Sequence, residues 1–327
     1  MRLIHTFSLI IVIAVLFLSA CSKKYQYSEG MVWNTAYHIT YKGDANLQDS
    51  VMAVMKEVGS SLSVFDSTSL VSRLNLSPAI ESDRHLKSVY ECSRNINRIT
   101  KRAFDPTLSP LITAWGFGKG HRPTSDTLRI DSLLQLVGIE KTFLRNDSII
   151  KEDVRINFNF SAVAKGYGVD EVARMFLRNG VEDFLIEIGG EIRVCGESPS
   201  GGKWRISIDR PTVKANKEIH DSQAIIAIRD LSLATSGNYR NYHEIGGKRL
   251  GHTIDRLTGR PAVTTLASAT VLADDCMTAD ALATALMAMP DAGLKDFCIK
   301  NNIAAFLVFH SGEVWTSPGF KTLTETL

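Results

Sequence analysis

Neither charge nor cysteine dominates this chain. Its 37 Lys and Arg are balanced by 35 Asp and Glu, which leaves a net charge of +2. It therefore lacks the basic excess that draws a protein to nucleic acid, and no DNA- or RNA-binding motif is present. Its five cysteines follow no zinc-ligand spacing. No internal repeat, low-complexity block or interdomain linker breaks the sequence. The apolar run at residues 7–18 is too short and wrongly flanked to span a bilayer. With 44% apolar and 22% charged residues, what remains is an ordinary globular composition, not a disordered one.

The amino terminus carries a targeting segment. Arg2 and His5 precede the apolar run, and Leu18-Ser19-Ala20-Cys21 follows it. This is a charged region, an apolar region and a small-residue cleavage site. Leu-Ser-Ala-Cys also resembles a bacterial lipobox, which implies cleavage before Cys21 and lipid attachment to that cysteine. The alternative is an ordinary signal peptide cut elsewhere. The expected organisation is a signal peptide at 1–20, a lipidated Cys21 and polar tether at 21–30, and one domain at 31–327. Several acyl chains would hold such a protein firmly on a membrane, facing the periplasm. Of the other cysteines, Cys92 and Cys298 sit in helix-like apolar stretches and are expected as buried thiols. An exported protein could oxidise a pair, but spacing does not say which.

Periodicity predicts strands at 36–41, 142–150, 155–160, 184–188, 192–195, 204–209, 224–228, 231–234 and 270–272, with a hairpin of 304–310 and 314–316. It predicts helices at 46–62, 85–101, 131–137, 161–178, 278–289 and 292–300. Antiparallel strands mixed with helices, without a regular βαβ series, indicate an α+β fold.

The chemistry concentrates in a few motifs. Residues 252–262 read HTIDRLTGRPA, and residues 279–289 read ADALATALMAM. Asp280 and Thr284 stand at i and i+4, on one face of the predicted helix. A carboxylate and a hydroxyl so placed can meet one hard cation, and oxygen ligands of this kind suit Mg²⁺. Further motifs precede them: FDPT-x-x-PL-x-x-x-WGFG at 104–118, AKGYGVD at 164–170, EIGGE at 187–191 and TSGNYR at 235–240.

In this order the motifs resemble the FAD:protein FMN transferase family, also called the ApbE family, and the resemblance runs from about Trp33 to Trp315. It implies a single ApbE-like, T-fold-related α+β domain with antiparallel sheets and packed helices. It implies Mg²⁺ held by Asp280, Thr284 and the carbonyl of Ala162, with FAD as substrate. Contacts to FAD fall on Phe65, Ala103, Phe104, Asp105, Asn159, Lys165 and Ile254. Trp33 matches this set weakly, because Trp33 to Tyr37 replace the family's Met and Gly there. Phe65 stands where members carry Tyr or Trp, and keeps a stacking face without the polar handle. Asn159 stands where many members carry Asp, so it can hydrogen-bond but brings no charge. Asp105 either accepts hydrogen bonds from the cofactor or caps an Asp-Pro turn.

The resemblance favours His252 as the general base, the alternative being a histidine that orients the loop or packs on the flavin ring, and Asp255 either holds it or caps the turn at 256–259. TSGNYR either shapes an acceptor groove or is a tight connector. The activity implied is Mg²⁺-dependent transfer of FMN from FAD to a Thr or Ser hydroxyl, releasing AMP. The acceptors implied are flavoproteins of membrane or periplasmic electron transfer. The alternatives are an FAD pyrophosphatase built on the same metal site, a non-catalytic FAD-binding lipoprotein, and a purely structural surface lipoprotein. Replacing Cys21 with Ser is expected to move the protein out of the membrane fraction; equal membrane retention of the variant would place the anchor elsewhere.

Overall fold

The structure, a computed structural model, describes residues 24–117, 126–211, 222–237, 242–245, 248–251 and 253–326. Its centre is an eight-stranded antiparallel sheet whose members follow one another in space in the order in which they occur along the chain. They are β1 (Tyr25–Val32), β2 (Thr35–Lys42), β3 (Phe184–Ile188), β4 (Glu191–Cys195), β5 (Ser232–Gly237), β6 (Leu266–Ala273), β7 (Ala304–Phe309) and β8 (Val314–Thr316). Between these strands the chain makes excursions, and four helices from them cover one face: α1 (Gln48–Leu62), α2 (Arg84–Ile99), α3 (Ser161–Arg178) and α4 (Cys276–Ala288).

Both faces of the sheet are buried, so its central strands read as nearly continuous apolar runs. In β7, Ala305 and Leu307 point to the helical layer. Ala304, Phe306 and Val308 point to the other side, as the two-residue period of a strand requires. There they meet a smaller three-stranded sheet, built from Trp204–Asp209, Ser222–Ile228 and Glu325–Thr326, and the helix Pro318–Leu323. On the helical side α2 begins at Asp83, whose side chain accepts from Leu86 N–H. It buries Leu86, Val89, Tyr90 and Ile96 along one stripe. α4 is buried almost all round. No helix among the described residues is long and apolar enough to cross a membrane.

Several expectations change. The segment expected as a tether at 21–30 is folded from Tyr25 onward, because β1 pairs with β2 along its whole length, from Tyr25 opposite Lys42 to Val32 opposite Thr35. Residues 142–150 form a hairpin, Thr142–Arg145 with Ser148–Lys151. Its turn is made by Asn146 and Asp147, both at positive φ, where Asn and Asp are tolerated best. The four described cysteines, Cys92, Cys195, Cys276 and Cys298, are free thiols. Cys298 is buried as expected, and Cys92 only partly.

Residues 155–160 are not a strand, although they alternate. Side chains, not a ladder, hold much of their backbone. Asn75 accepts from Phe158 N–H at 2.7 Å and donates to Phe158 C=O at 2.9 Å. Lys151, only 5% exposed, donates to the carbonyls of Leu74, Val154 and Ile156 at 2.8–3.0 Å and reaches that of Asn75 at 3.3 Å. The ammonium thus ties the end of the helix Leu70–Leu76 to the segment that leads into α3. Lys151→Met removes the donor and leaves buried carbonyls unpaired, so unfolding in urea is expected to show a loss of about 2–4 kcal/mol. A loss under about 0.5 kcal/mol would show that the ammonium is dispensable.

Candidate active site

A cavity of about 950 Å³ opens between the cavity-side ends of α3 and α4, the β3–β4 turn and the loops around Asp105 and Ile254. Its geometry begins with how closely α3 and α4 approach. A Cβ on Gly166 would stand 2.3 Å from the carbonyl oxygen of Cys276 and 2.9 Å from the Asp280 Cβ, so only glycine permits the crossing. Four residues on, Asp170 is fully buried and accepts from the first amides of α4, Cys276 N–H at 3.0 Å and Met277 N–H at 2.9 Å. Arg193 of β4 pairs with the same carboxylate. Asp275 caps the helix as well, accepting from Thr278 N–H. The AKGYGVD motif therefore fixes where α4 starts and how it is turned.

That placement aims Asp280 and Thr284 into the cavity. Asp280, 3% exposed, accepts from Gly166 N–H at 3.0 Å through Oδ2. In a regular helix this amide belongs to the carbonyl of Ala162, four residues earlier. Ala162 lines the same cavity. Thr284 Oγ1 lies 3.1 Å from Ser236 Oγ on β5.

Lys165, also on the cavity wall, is ion-paired with Glu191 at the start of β4. Glu191 is 2% exposed, and its Oε2 has no partner among the described residues. Burial pushes the Glu191 carboxyl up and the nearby Asp280 adds to this, against the pull of Lys165. Burial likewise raises Asp280, opposed by Lys165 and the Gly166 amide. Burial works against the charge on Lys165, but Glu191 and Asp280 outweigh it and hold the ammonium above its ordinary range.

The second wall joins two motifs distant in sequence. Trp115 of the WGFG run donates from Nε1 to Gly259 C=O at 2.8 Å. Arg256 lies with Nε 3.7 Å from Asp105 Oδ2 and donates to Glu140 at 3.0 Å. Ile254, 2% exposed, packs with Leu108, Leu111 and Ile130 in the same cluster. Asp105 is 6% exposed and committed to its own loop: Oδ1 accepts from Thr107 N–H and its hydroxyl at 2.9 and 2.6 Å. Burial raises its pKa, countered by Thr107, the Ile139 amide and Arg256.

The residues expected at the site largely meet there. Phe65, Ala103, Phe104, Asp105, Asn159, Lys165 and Ile254 all line the cavity beside the three oxygen donors. Phe65 is 72% exposed, so it is not a core ring. Asn159 accepts from Ser161 N–H at 2.9 Å, which covers the first amide of α3. Trp33 is elsewhere: its indole lies over Gly168 and Gly59, wedged between α3 and α1, and it is not a cavity residue. Asp255 spends both oxygens on the turn after it, accepting from Leu257 N–H at 2.8 Å and the Thr258 hydroxyl at 2.9 Å. It caps the turn and is not among the cavity residues. His252, like Cys21, lies outside the described residues.

Glu191 and Ser236 emerge only from the structure. Each stands in a motif visible in the sequence, but the partner that gives it meaning, Lys165 or Thr284, is far away along the chain. The double glycine of EIGGE turns at the cavity rim with both residues at positive φ, and Gly190 N–H donates to Glu187 at 2.7 Å. In TSGNYR, the Thr235, Ser236 and Gly237 end of β5 faces the cavity; residues 238–240 lie outside the described ones.

Among known proteins, residues 33–307 match the ApbE family model. The curated FAD:protein FMN transferase of Vibrio cholerae is 35% identical over 329 residues, covering 96% of this chain and 95% of its own. That of Haemophilus influenzae is 32% identical and covers 97% of each chain. The apo flavinyl transferase ApbE of Pseudomonas stutzeri has the same fold, with a TM-score of 0.83 at 30% identity over 92% of this chain and 97% of its own. Gly166→Ala is expected to lower stability by about 1–3 kcal/mol, as overpacking does, and to displace α4. A melting temperature equal to wild type would contradict the crossing as described.

Proposed function

The chain belongs to the ApbE family, and on that premise we propose that it moves FMN from FAD to a Thr or Ser hydroxyl of an acceptor flavoprotein and releases AMP. The observation that carries this is the convergence, in one cavity, of three oxygen donors from α3 and α4 with a lysine and an exposed aromatic ring. The relatives' names give FAD as the flavin donor and a protein as the acceptor.

The donor set fits Mg²⁺. A carboxylate, a hydroxyl and a backbone carbonyl are hard ligands, few enough to leave positions for a diphosphate and water. The Asp280 carboxylate is buried and gains from a cation that replaces lost hydration. Bound there, Mg²⁺ would neutralise charge on the diphosphate and make AMP a better leaving group.

The chain's own groups do the rest. Lys165 presents an ammonium to the phosphates. Phe65 offers a face to a flavin or adenine ring, and the 103–106 loop presents backbone groups beside it. The acceptor oxygen attacks the FMN-side phosphorus. A P–O bond to the acceptor forms as the bond to the AMP oxygen breaks, and the hydroxyl proton passes to a base. We assign that base to His252, in the segment just before Ile254. Asp255 then acts through the turn it caps.

The same reading holds the enzyme at a membrane surface through a lipidated Cys21, facing the periplasm, with electron-transfer flavoproteins as acceptors. Its support is the lipobox and the start of the fold at β1, four residues after Cys21. Incubation with FAD, Mg²⁺ and an acceptor, followed by intact mass, tests the proposal. The acceptor is expected to gain FMN. Asp280→Asn should slow this by at least about 100-fold while FAD still binds. Free FMN without any adduct would mean hydrolysis, and unchanged FAD would mean a binding protein.

A further inference from the structure

Lys165 stands beside Asp280, yet its ion pair is with Glu191. All three groups act on one another electrostatically. A lysine so close to a lone buried carboxylate competes with any metal for it. Glu191 removes that competition. It comes from β4, next to the double-glycine turn, and it is almost wholly buried. One of its oxygens takes the ammonium and the other has no partner among the described residues. Burying a carboxylate with an unsatisfied oxygen is costly, so this position asks for a reason beyond packing.

We propose that Glu191 is a positioning residue that neutralises Lys165 and so keeps the Asp280 carboxylate available to a divalent cation. The inference rests on Asp280 being the metal ligand. With all three charges present the triad carries one net negative charge. Without Glu191 the lysine cancels Asp280, and the net attraction for a cation falls to zero. Without both Glu191 and Lys165 the single negative charge returns. Charge reckoning thus makes a prediction that a ligand role or a packing role for Glu191 does not share.

The experiment is Mg²⁺ titration of the FAD-free protein by calorimetry, with circular dichroism to confirm folding. Glu191→Gln is expected to weaken Mg²⁺ binding about tenfold or more, the scale of coupling between close charges. The double variant Glu191→Gln with Lys165→Met is expected to return to within about threefold of wild type. If the double variant stays as weak as the single one, Glu191 binds the metal itself or acts by packing, and the inference fails. It also fails if Glu191→Gln binds Mg²⁺ normally. Should Glu191→Gln not fold, Lys165→Met alone decides: tighter Mg²⁺ binding than wild type supports the inference and weaker binding overturns it. Asp280→Asn serves as the control. If it binds Mg²⁺ like wild type, the metal assignment fails, and that result is distinct from failure of the Glu191 inference.

Discussion

The approach of α3 to α4 at Gly166 is the contact on which the site depends. Where a side chain would strike the Cys276 carbonyl, glycine lets the two helices touch, and the Gly166 amide then reaches across to Asp280. Asp170, one turn further along α3, holds the first amides of α4 and fixes its start and rotation. The i and i+4 positions of α4 face the cavity only because of this. On a helix free to rotate, Asp280 and Thr284 would be ordinary polar residues.

Such closeness has an electrostatic cost. Asp170, Asp280 and Glu191 are all buried within one region, and burial raises each of them. The fold answers with two cations. Arg193 takes Asp170, and Lys165 takes Glu191. The remaining carboxylate, Asp280, has a single backbone amide as its hydrogen-bond donor among the described residues. This division leaves the Asp280 carboxylate facing the cavity, as a site for a divalent cation needs.

Much of this was legible from residues alone, for identifiable reasons. The limits of α3 followed from its helical stripe and the Asn179-Gly180 stop. The strands of the main sheet were recognisable by their apolar runs, although β6 and β5 extend beyond the expected segments, β6 because it pairs on both sides and β5 because it pairs with β6 along its whole length. Other features depended on contacts that no local pattern carries. Residues 155–160 alternate like a strand, but Lys151 and Asn75 occupy their backbone groups. β1 reads as a polar tether until β2 is available to pair with it. Trp33 falls at a family motif, yet glycines on two helices make a slot for its indole away from the cavity. Glu191 was visible in a motif, but only the fold brings Lys165 to it.

On the proposed function, the Ala162 carbonyl, Asp280 and Thr284 together form a divalent-cation site beside the FAD diphosphate. The most direct measurement is anomalous diffraction from crystals grown with FAD and Mn²⁺, a scatterer that accepts the same hard ligands. A peak is expected within about 2.5 Å of all three oxygens and of a phosphate oxygen. A peak bound elsewhere in the cavity, with Asp280 still held only by the Gly166 amide, would contradict that site.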